Sequence, residues 1–559
     1  MDAYRFIWYI NNAAFWRDCS SASQMDHYLT PLCLSLVLYA IYRRYTRMSL
    51  SRVRGPKPTS FLFGNLPELY QGMAGEAEFR WKNLYGNVIR VKGILGEDQL
   101  VVADPKALSR IFVTAAYQFP KVPERRILTF MMLGKSVLWA DGDVHKRQRK
   151  ILNPGFGGAE SRAFLAVSQA AAQAMVGKWM ELVEADNSGK IVMDIPSWVS
   201  RAALDAIGEG AFDIRLGSLE NSESPLAKNY QGLLLSVFGS PSALQIFIQE
   251  AIKYIPTSIL EYWVKYAPVS RATRLREAKK VTTATAATMV TEKAESLLQG
   301  KGSRDIFSLL VKANMDADAK NKLSDEELYS QMRVILFAGH ETTSNSIGWA
   351  LLEMSRTPEI QSRLRSEIRQ HESALRARGD TQFTASDLDN MPYLNAVVKE
   401  TLRYHCILPQ VFRMAGQDYV LPLSQPITTE SGELMHEILV PKGTRIIASV
   451  AAYNRNKDMW GEDADVFNPD RWLDGIAKDK KEAAVGVYSS LLTFGGGPRA
   501  CLGWRFAVIE IQAFLVEIIN QFEVSLTEKA MHIRLEGEVS RGVQLPLAIS
   551  VAPRDDDAY

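Results

Sequence analysis

Cysteine is scarce in this chain of 559 residues, which contains Cys19, Cys33, Cys406 and Cys501 and no others. So few cysteines exclude a disulfide-stabilised fold. Charge is nearly balanced, with 65 basic and 63 acidic residues and a net charge of +2. The sequence therefore lacks the basic excess of a nucleic-acid-binding protein, and we expect no nucleic-acid partner. Low-complexity segments and internal repeats are absent, and the seven histidines show no metal-ligand spacing.

Long hydrophobic runs are also missing, apart from one short candidate near the N-terminus. Residues 27–42 carry no formal charge, and a helix there spans about 24 Å at about 1.5 Å per residue. The hydrocarbon core of a bilayer is about 30 Å thick, and tyrosines at the ends of the run extend it into the interface. Five arginines between Arg43 and Arg54 follow, which places the rest of the chain in the cytosol by the positive-inside rule. We therefore expect an N-terminal segment, residues 1–54, with a single transmembrane anchor at about 27–42, followed by one globular domain at 55–559.

A cleaved signal peptide is the alternative for this segment. It needs a small-residue cleavage site where Arg43 and Arg44 stand, so the uncleaved anchor is favoured. Translation from Met25 instead of Met1 is also compatible with an anchor. The next residues, Arg54-Gly-Pro-Lys-Pro58, predict a stiff connector that is not helical.

The globular part is predicted to be mainly α-helical with a minor β-region. Helical periodicity is strongest over residues 160–186, 270–298 and 325–375. Short strands are predicted at Val88–Val91, Gln99–Val102 and Gly443–Ile447, and residues 523–552 alternate between apolar and polar. A capping box of Ser324 and Glu327, with Pro358 opening the next helix, predicts one helix of about 32 residues between them.

One decapeptide, Phe494-Gly-Gly-Gly-Pro-Arg-Ala-Cys-Leu-Gly503, carries most of the chemical information. It presents Cys501 just before a predicted helix at 504–522, whose free N–H groups and dipole stabilise a thiolate. The glycines let the backbone approach a flat ligand, and Arg499 is placed to bind an anionic group on that ligand. A buried cysteine in a glycine-rich turn is the alternative, but it does not account for Phe, Gly, Arg, Cys and Gly together at this spacing.

With these residues the sequence resembles the cytochrome P450 family of haem-thiolate monooxygenases. The family pattern Phe-x-x-Gly-x-Arg-x-Cys-x-Gly is matched at Phe494, Gly497, Arg499, Cys501 and Gly503. Further motifs appear in the family's order, so the resemblance covers about residues 50–550. It implies the family's triangular-prism fold and haem b, with Cys501 as the axial thiolate ligand and the other four residues of the pattern around the cofactor.

A second family motif lies in the long predicted helix, at Ala338-Gly-His-Glu-Thr-Thr343. Small residues there leave room beside the helix, and a threonine hydroxyl can bond to a carbonyl one turn earlier and open the helix slightly. In the family such an acid–alcohol pair supplies the protons for dioxygen cleavage, so the resemblance assigns Glu341 and Thr342 as catalytic. A Thr-Thr pair that serves only packing is the alternative.

Two further groups follow from the resemblance. Glu400 and Arg403 match the family's Glu-x-x-Arg motif, and Arg471 is expected to complete a buried structural network with them. The haem carboxylates need cations, for which arginine is well suited, and the family positions fall on His145, Arg149, Arg413 and Arg499. His145 departs from the family pattern, which has tryptophan at this place.

The resemblance also implies partners and a location. We expect a lipophilic substrate, because the family's pocket-lining segments are apolar here, at residues 127–133, 233–238, 334–337 and 407–412. Terpenoids, sterols and polyketide-like compounds are the classes that fungal members of secondary metabolism oxidise. Residues 255–263 are predicted to contact the bilayer surface. The chain is expected in the endoplasmic reticulum membrane with the catalytic domain in the cytosol.

Electrons are expected from an NADPH-dependent cytochrome P450 reductase, with cytochrome b5 as a further candidate donor. The basic residues Lys146, Arg147, Lys150 and Arg505 are predicted to form the exposed docking face for it. Three alternatives stay open: a haem-thiolate rearrangement or peroxide-using enzyme that does not cleave dioxygen, a hydroxylase of xenobiotics or fatty acids, and a haem protein without catalytic activity.

Overall fold

The structure is a computed structural model, and it describes residues 50–220, 240–255, 260, 266, 270–300, 305–473, 485–531, 533 and 544–553. Those from Ser51 onward belong to one compact unit. Within these ranges, no helix combines the length and the apolar character needed to cross a bilayer. The predicted anchor at 27–42 and the predicted pocket segment 233–238 lie outside the described residues, as does most of 255–263.

Helices form most of the described chain. The first half contains α1 (Leu66–Gln71), α2 (Glu76–Tyr85), α3 (Pro105–Ser109), α4 (Pro123–Leu133), α5 (Gly142–Leu152), α6 (Gly158–Ala185), α7 (Ile195–Phe212), α8 (Ala243–Ala251) and α9 (Ser270–Leu298). The second half contains α10 (Ile306–Met315), α11 (Asp325–Arg356), α12 (Pro358–Ala377), α13 (Ala385–Asp389), α14 (Pro392–Tyr404), α15 (Val450–Asn454), α16 (Lys457–Trp460), α17 (Trp504–Gln521) and α18 (Glu528–Met531). The strands are β1 (Val88–Lys92), β2 (Asp98–Val102), β3 (Lys190–Asp194), β4 (Gln410–Met414), β5 (Tyr419–Thr428), β6 (Leu434–Val440), β7 (Arg445–Ser449), β8 (Phe522–Ser525) and β9 (Pro546–Val551). The predicted class, mainly α with a minor β-region, is confirmed.

The strands form three small sheets. The largest has the order β1-β2-β7-β4, in which β2 and β7 are parallel and the outer pairs are antiparallel. The second has the antiparallel order β3-β9-β8, and the third is the hairpin of β5 and β6. Side chains of α1 and α2, including Leu66 and Trp81, pack with Ile89, Val101 and Ile447 into a buried core beside the first sheet. This region holds β4, from which Arg413 extends.

The helix α11 runs through the centre of the helical part. Its N-terminus carries the predicted capping box, in which the Ser324 hydroxyl accepts from the Glu327 N–H and the Glu327 carboxylate accepts from the Ser324 N–H. It has 32 residues and packs against α7, α9 and α17. Because other elements surround it, nearly every residue from Ser330 to Ser355 is buried. Such a helix can hold reactive groups away from bulk water.

Candidate active site

The loop before α17 is held in a compact shape by short turns at Leu492–Phe494 and Gly497–Arg499. The Cys501 N–H donates to the Phe494 carbonyl over 2.7 Å, which closes the loop. Gly497 has a φ of +61°, and a Cβ atom there would lie 2.2 Å from the Phe112 carbonyl oxygen. This position therefore requires glycine because the helical segment Arg110–Thr114 packs against it, a reason that the sequence did not reveal.

The surroundings of the Cys501 thiol combine accessibility with the effects of burial. The side chain is accessible, yet burial raises the pKa of its thiol, while the Gly503 N–H and Arg149 act in the opposite direction. A thiol that is accessible and also surrounded by protein borders an interior space. As predicted, a helix follows, and α17 begins three positions later at Trp504, so its N-terminal end favours the thiolate.

Several cations gather around Asp141. Arg499 pairs with its carboxylate, and the Lys121 N–H donates to it over 2.8 Å. The Lys121 ammonium donates to the carbonyls of Val137, Leu138 and Ala140. Burial, reinforced by Arg413, holds the pKa of Lys121 well below its usual value.

Arg413 and Arg149 complete this cation cluster, which we define as Lys121, Arg149, Arg413 and Arg499. Arg413 is buried, and burial together with Arg499 lowers its pKa to about 9. Arg149 donates to the carbonyl of Ala500, next to Cys501, over 2.6 Å. Among the described residues, the Nε atoms of Arg413 and Arg499 are buried without a hydrogen-bond partner.

The site holds four basic side chains but only one carboxylate, that of Asp141. Two buried N–H donors, on Arg413 and Arg499, have no hydrogen-bond partner. This arrangement fits an anionic ligand. A buried polar group without a partner is costly, and excess buried positive charge is stabilised by anions. Haem b has two carboxylates and an iron that takes an axial ligand. The cation cluster and the accessible thiol of Cys501 provide groups of the right kind for each.

The helix α11 has one accessible spot in its middle. Ala338, Gly339 and Thr342 are half-buried, whereas the other residues from Ser330 to Ser355 are buried. The Thr342 hydroxyl donates to the Ala338 carbonyl over 2.8 Å, the bond that the sequence suggested, and the helix is continuous through this point. A Cβ atom at Gly339 would lie 2.8 Å from Ile207 of α7, so this glycine is needed for helix packing.

The network of Glu400, Arg403 and Arg471 is present and buried. Arg403 donates to both Glu400 oxygens over 2.8 Å, and Arg471 donates to one of them over 3.1 Å. The chain next to Arg403 contacts the cysteine loop directly, because the Thr493 hydroxyl donates to the Leu402 carbonyl over 2.6 Å. The network therefore stabilises the end of α14 that contacts the cysteine loop.

Comparison with known proteins agrees with this geometry. The sequence model of the cytochrome P450 family matches residues 54–550. The chain belongs to this family. Cytochrome P450 monooxygenase 91 of Postia placenta is 32% identical over 506 residues, covering 88% of this chain and 90% of that protein. Cytochrome P450 monooxygenase claQ of Ampulloclitocybe clavipes is 32% identical over 483 residues, covering 84% and 85%. The chain is thus a cytochrome P450 monooxygenase, and its relatives are fungal.

One prediction about the basic face of this P450 needs correction. Arg147 is not a solvated surface residue, because its guanidinium donates to both oxygens of Glu327 and to the Lys322 carbonyl. Lys146, Lys150 and Arg505 are exposed as predicted, and Lys146 pairs with the exposed Asp143. The sequence did not show that α5 turns Arg147 toward the first turn of α11.

Sequence reasoning also missed Lys121, Asp141, Tyr117 and Glu510. Asp141 precedes Gly142 and caps α5, accepting from the Gly142 N–H over 2.9 Å, and an Asp-Gly pair before a helical run could have indicated it. The Tyr117 hydroxyl oxygen lies 3.0 Å from Nδ1 of His145. Glu510, on α17, is buried and hydrogen-bonded to Thr343. No motif pointed to Lys121, Tyr117 or Glu510.

Proposed function

We propose that this P450 is a membrane-anchored haem-thiolate monooxygenase that inserts one atom of dioxygen into a lipophilic substrate. The observation that carries the proposal is a pair of accessible spots, one at Cys501 in the loop before α17 and one at Ala338, Gly339 and Thr342 on the otherwise buried α11. Bound haem would supply the activation of dioxygen. Side chains of this protein would bind the haem, deliver protons, attach the domain to the membrane and line the substrate site.

Haem b would be held by two sets of residues. Cys501 would provide the thiolate ligand, and Phe494, Gly497 and Gly503 would shape the loop around it. Arg413 and Arg499 each have a spare buried N–H for a carboxylate, and His145 and Arg149 lie in α5 next to this pair. Arginine suits the task because its planar fork matches the geometry of a carboxylate.

Glu341 and Thr342 would handle protons. The Thr342 hydroxyl is both donor and acceptor, and at rest its proton is held by the Ala338 carbonyl. Rotation about one side-chain bond turns this proton toward the accessible spot. Glu341 is buried on the same turn of α11, so a proton can pass through it without opening the site to bulk water.

An exposed apolar surface supports membrane attachment, with residues 1–54 carrying the anchor and 55–559 the catalytic domain. Phe61 and Leu95 are 65% and 50% exposed, and they adjoin because Leu95 donates to the Leu62 carbonyl and the Phe61 ring borders Gly96. Residues of α8, among them Leu244 and Ile248, add exposed apolar side chains, and α8 contacts the turn at 94–96. Such a patch fits the surface of the endoplasmic reticulum membrane.

Apolar side chains also support a lipophilic substrate. Residues 334–337 of α11 lie just before the accessible spot and are buried and apolar, and α4, with residues 127–133, packs against α11. Within this lipophilic range we propose a terpenoid, sterol or polyketide-like substrate of secondary metabolism, the classes that the sequence resemblance implies. Electrons would come from an NADPH-dependent reductase in the same membrane.

The test is turnover of a panel of lipophiles by membranes that contain the full chain, NADPH and a reductase. We expect a product that is heavier by one oxygen atom derived from dioxygen. An isomerised product without added oxygen, or turnover with peroxide alone, would instead indicate a rearrangement or peroxide-using enzyme. If the protein instead preferred fatty acids or xenobiotics, the proposed substrate class would be wrong.

Cys501→Ser provides the spectroscopic control. The reduced, carbon-monoxide-bound wild type should show the long-wavelength band of thiolate-ligated haem, because sulfur donates electron density to the iron. We expect Cys501→Ser to lose that band. Cys406→Ala should keep it, because Cys406 is buried and burial raises the pKa of its thiol to about 12. A wild type without the band would overturn the proposal.

A further inference from the structure

His145, where the family has tryptophan, is paired with a tyrosine. The Tyr117 hydroxyl oxygen lies 3.0 Å from His145 Nδ1, and the two rings are 5.9 Å apart between centroids. Tyr117 belongs to the short turn at Ala116–Gln118, whose first carbonyl accepts from Arg499. His145 is 2% exposed, in the first turn of α5. The pair therefore lies next to the cation cluster.

The surroundings of His145 in the protein favour the neutral form of its imidazole. Burial lowers its pKa to about 3, and Lys121, Arg499 and Arg149 contribute to the lowering, while Asp141 opposes it. A neutral imidazole has one N–H donor and one acceptor nitrogen, and it can exchange their places between Nδ1 and Nε2. The ring is therefore a defined donor only if a neighbour fixes the tautomer.

The replaced residue shows what the position needs. An indole has a single N–H and no acceptor nitrogen, so tryptophan can only donate. Histidine matches this behaviour when Nδ1 accepts from the tyrosine hydroxyl, because the proton of the ring then stands on Nε2. In the opposite tautomer Nε2 carries a lone pair instead of a proton, so it cannot donate to a carboxylate.

We propose that Tyr117 is a positioning residue whose hydroxyl fixes His145 in the Nε2–H tautomer, so that His145 donates to a haem carboxylate as the family's indole does. The inference rests on the proposed haem site. Tyr117 touches no reacting atom, and its effect passes through His145 alone. The pair would thus give this chain a fixed donor at the position where the family has tryptophan.

Tyr117→Phe removes the hydroxyl and leaves the aromatic ring. The ring also has the Arg499 guanidinium at 4.6 Å and the Lys146 ammonium at 4.8 Å from its centroid, and phenylalanine keeps both contacts. We expect haem to leave the purified holoenzyme about 2- to 10-fold faster, which corresponds to the net value of one hydrogen bond. Transfer of haem to excess apomyoglobin measures this rate without reference to turnover.

The matched control is Tyr117→Phe in a His145→Trp background. Because the indole N–H is fixed, loss of the hydroxyl should have no effect there, and the acceleration should appear only with histidine. Equal acceleration in both backgrounds would show that Tyr117 acts on packing, and no acceleration in either would also overturn the inference.

Nitrogen-15 NMR of labelled histidine provides a measurement that does not depend on the tryptophan variant. We expect the Nε2–H form for His145 in the wild-type holoenzyme and a mixture of tautomers in Tyr117→Phe. An Nδ1–H form in the wild type would refute the inference. Failure of the haem assignment itself would show differently, as absence of the thiolate-ligated band in the wild type.

Discussion

Glu510 is a carboxyl group inside the helical core, on the helix that follows Cys501. Burial raises its pKa to about 8, and a hydrogen bond from Thr343 lowers it in part. The Thr343 hydroxyl also lies 3.4 Å from the Gly339 carbonyl. With Glu510 protonated, its O–H can donate to Thr343, which then donates to Gly339. A neutral acid is therefore built into the packing of α17 on α11.

Glu510→Gln tests this protonation state. Between the usual pKa of about 4.5 and the folded value of about 8, the folded state keeps a proton that the unfolded state has lost. Unfolding releases it, so the free energy of unfolding falls as pH rises through this window. The contribution has a slope of at most about 1.4 kcal/mol per pH unit. We expect urea unfolding of Glu510→Gln to lack this fall, so that the variant gains on the wild type from pH 5 to 8.

Glu78→Gln is the matched control at this scale. Glu78 is buried near Gln410, and burial raises its pKa to about 7. In Glu78→Gln the free energy of unfolding should likewise lose a fall with rising pH. This fall should end about one pH unit lower than the fall that Glu510 causes. Parallel curves for the wild type and Glu510→Gln would mean that Glu510 is ionised in the folded protein.

At the scale of elements, α11 combines a long buried surface with one accessible spot. The Thr342→Ala variant keeps the helix, because alanine favours it, but removes the hydroxyl that faces this spot. We expect NADPH consumption to continue while less product and more hydrogen peroxide form, because proton delivery is impaired. The measurement is the ratio of product to NADPH consumed.

Ser346→Ala is the control for this prediction. The Ser346 hydroxyl donates to the Thr342 carbonyl over 3.1 Å, which is the same type of bond one turn later, but Ser346 is buried. Its variant should keep the coupling ratio of the wild type. If both variants uncouple to the same extent, the effect comes from the helix backbone and the catalytic role of Thr342 is wrong.

The elements themselves were largely predictable, and their contacts were not. The ends of α11 follow from Ser324, Glu327 and Pro358, which act within a few residues of the boundary. The cation cluster joins Asp141 to Arg499, whose separation of 358 residues leaves no local signal in the sequence. For the same reason the sequence wrongly predicts an exposed Arg147. In the structure its guanidinium binds the carboxylate of Glu327, which is 180 residues away.

At the scale of the whole molecule, the buried network around Glu400 joins α14 to Asn468, Arg471 and Trp472, and α14 contacts the cysteine loop through the Leu402 carbonyl. Glu400→Gln would leave Arg403 and Arg471 buried with reduced compensation, which costs about 3 to 5 kcal/mol. We expect a marked fall in thermal stability and in the fraction of protein that retains haem. Arg363→Met, which breaks the exposed pair with Asp470, should cost under about 1 kcal/mol. Equal losses in the two variants would contradict the structural role of the network.

We expect exposed charges to influence the encounter of the molecule with the proposed reductase. Lys146 and Lys150 are exposed on α5, the helix that also carries the buried His145 and the half-buried Arg149, which donates to the Ala500 carbonyl in the cysteine loop. An acidic reductase surface would be attracted to them, and such attraction mainly raises the association rate. The double variant Lys146→Glu and Lys150→Glu should therefore slow reductase-supported turnover at low salt, with substrate-binding spectra unchanged. Because a Debye length of about 8 Å at physiological ionic strength screens exposed charges, the defect should shrink as salt is added.

The control is the double variant Lys190→Glu with Lys529→Glu, which makes the same charge change at exposed lysines of β3 and α18. It should leave the rate of reductase-supported turnover unchanged. Equal slowing in both double variants would assign the effect to net charge, and normal rates in the first would show that α5 does not contact the reductase.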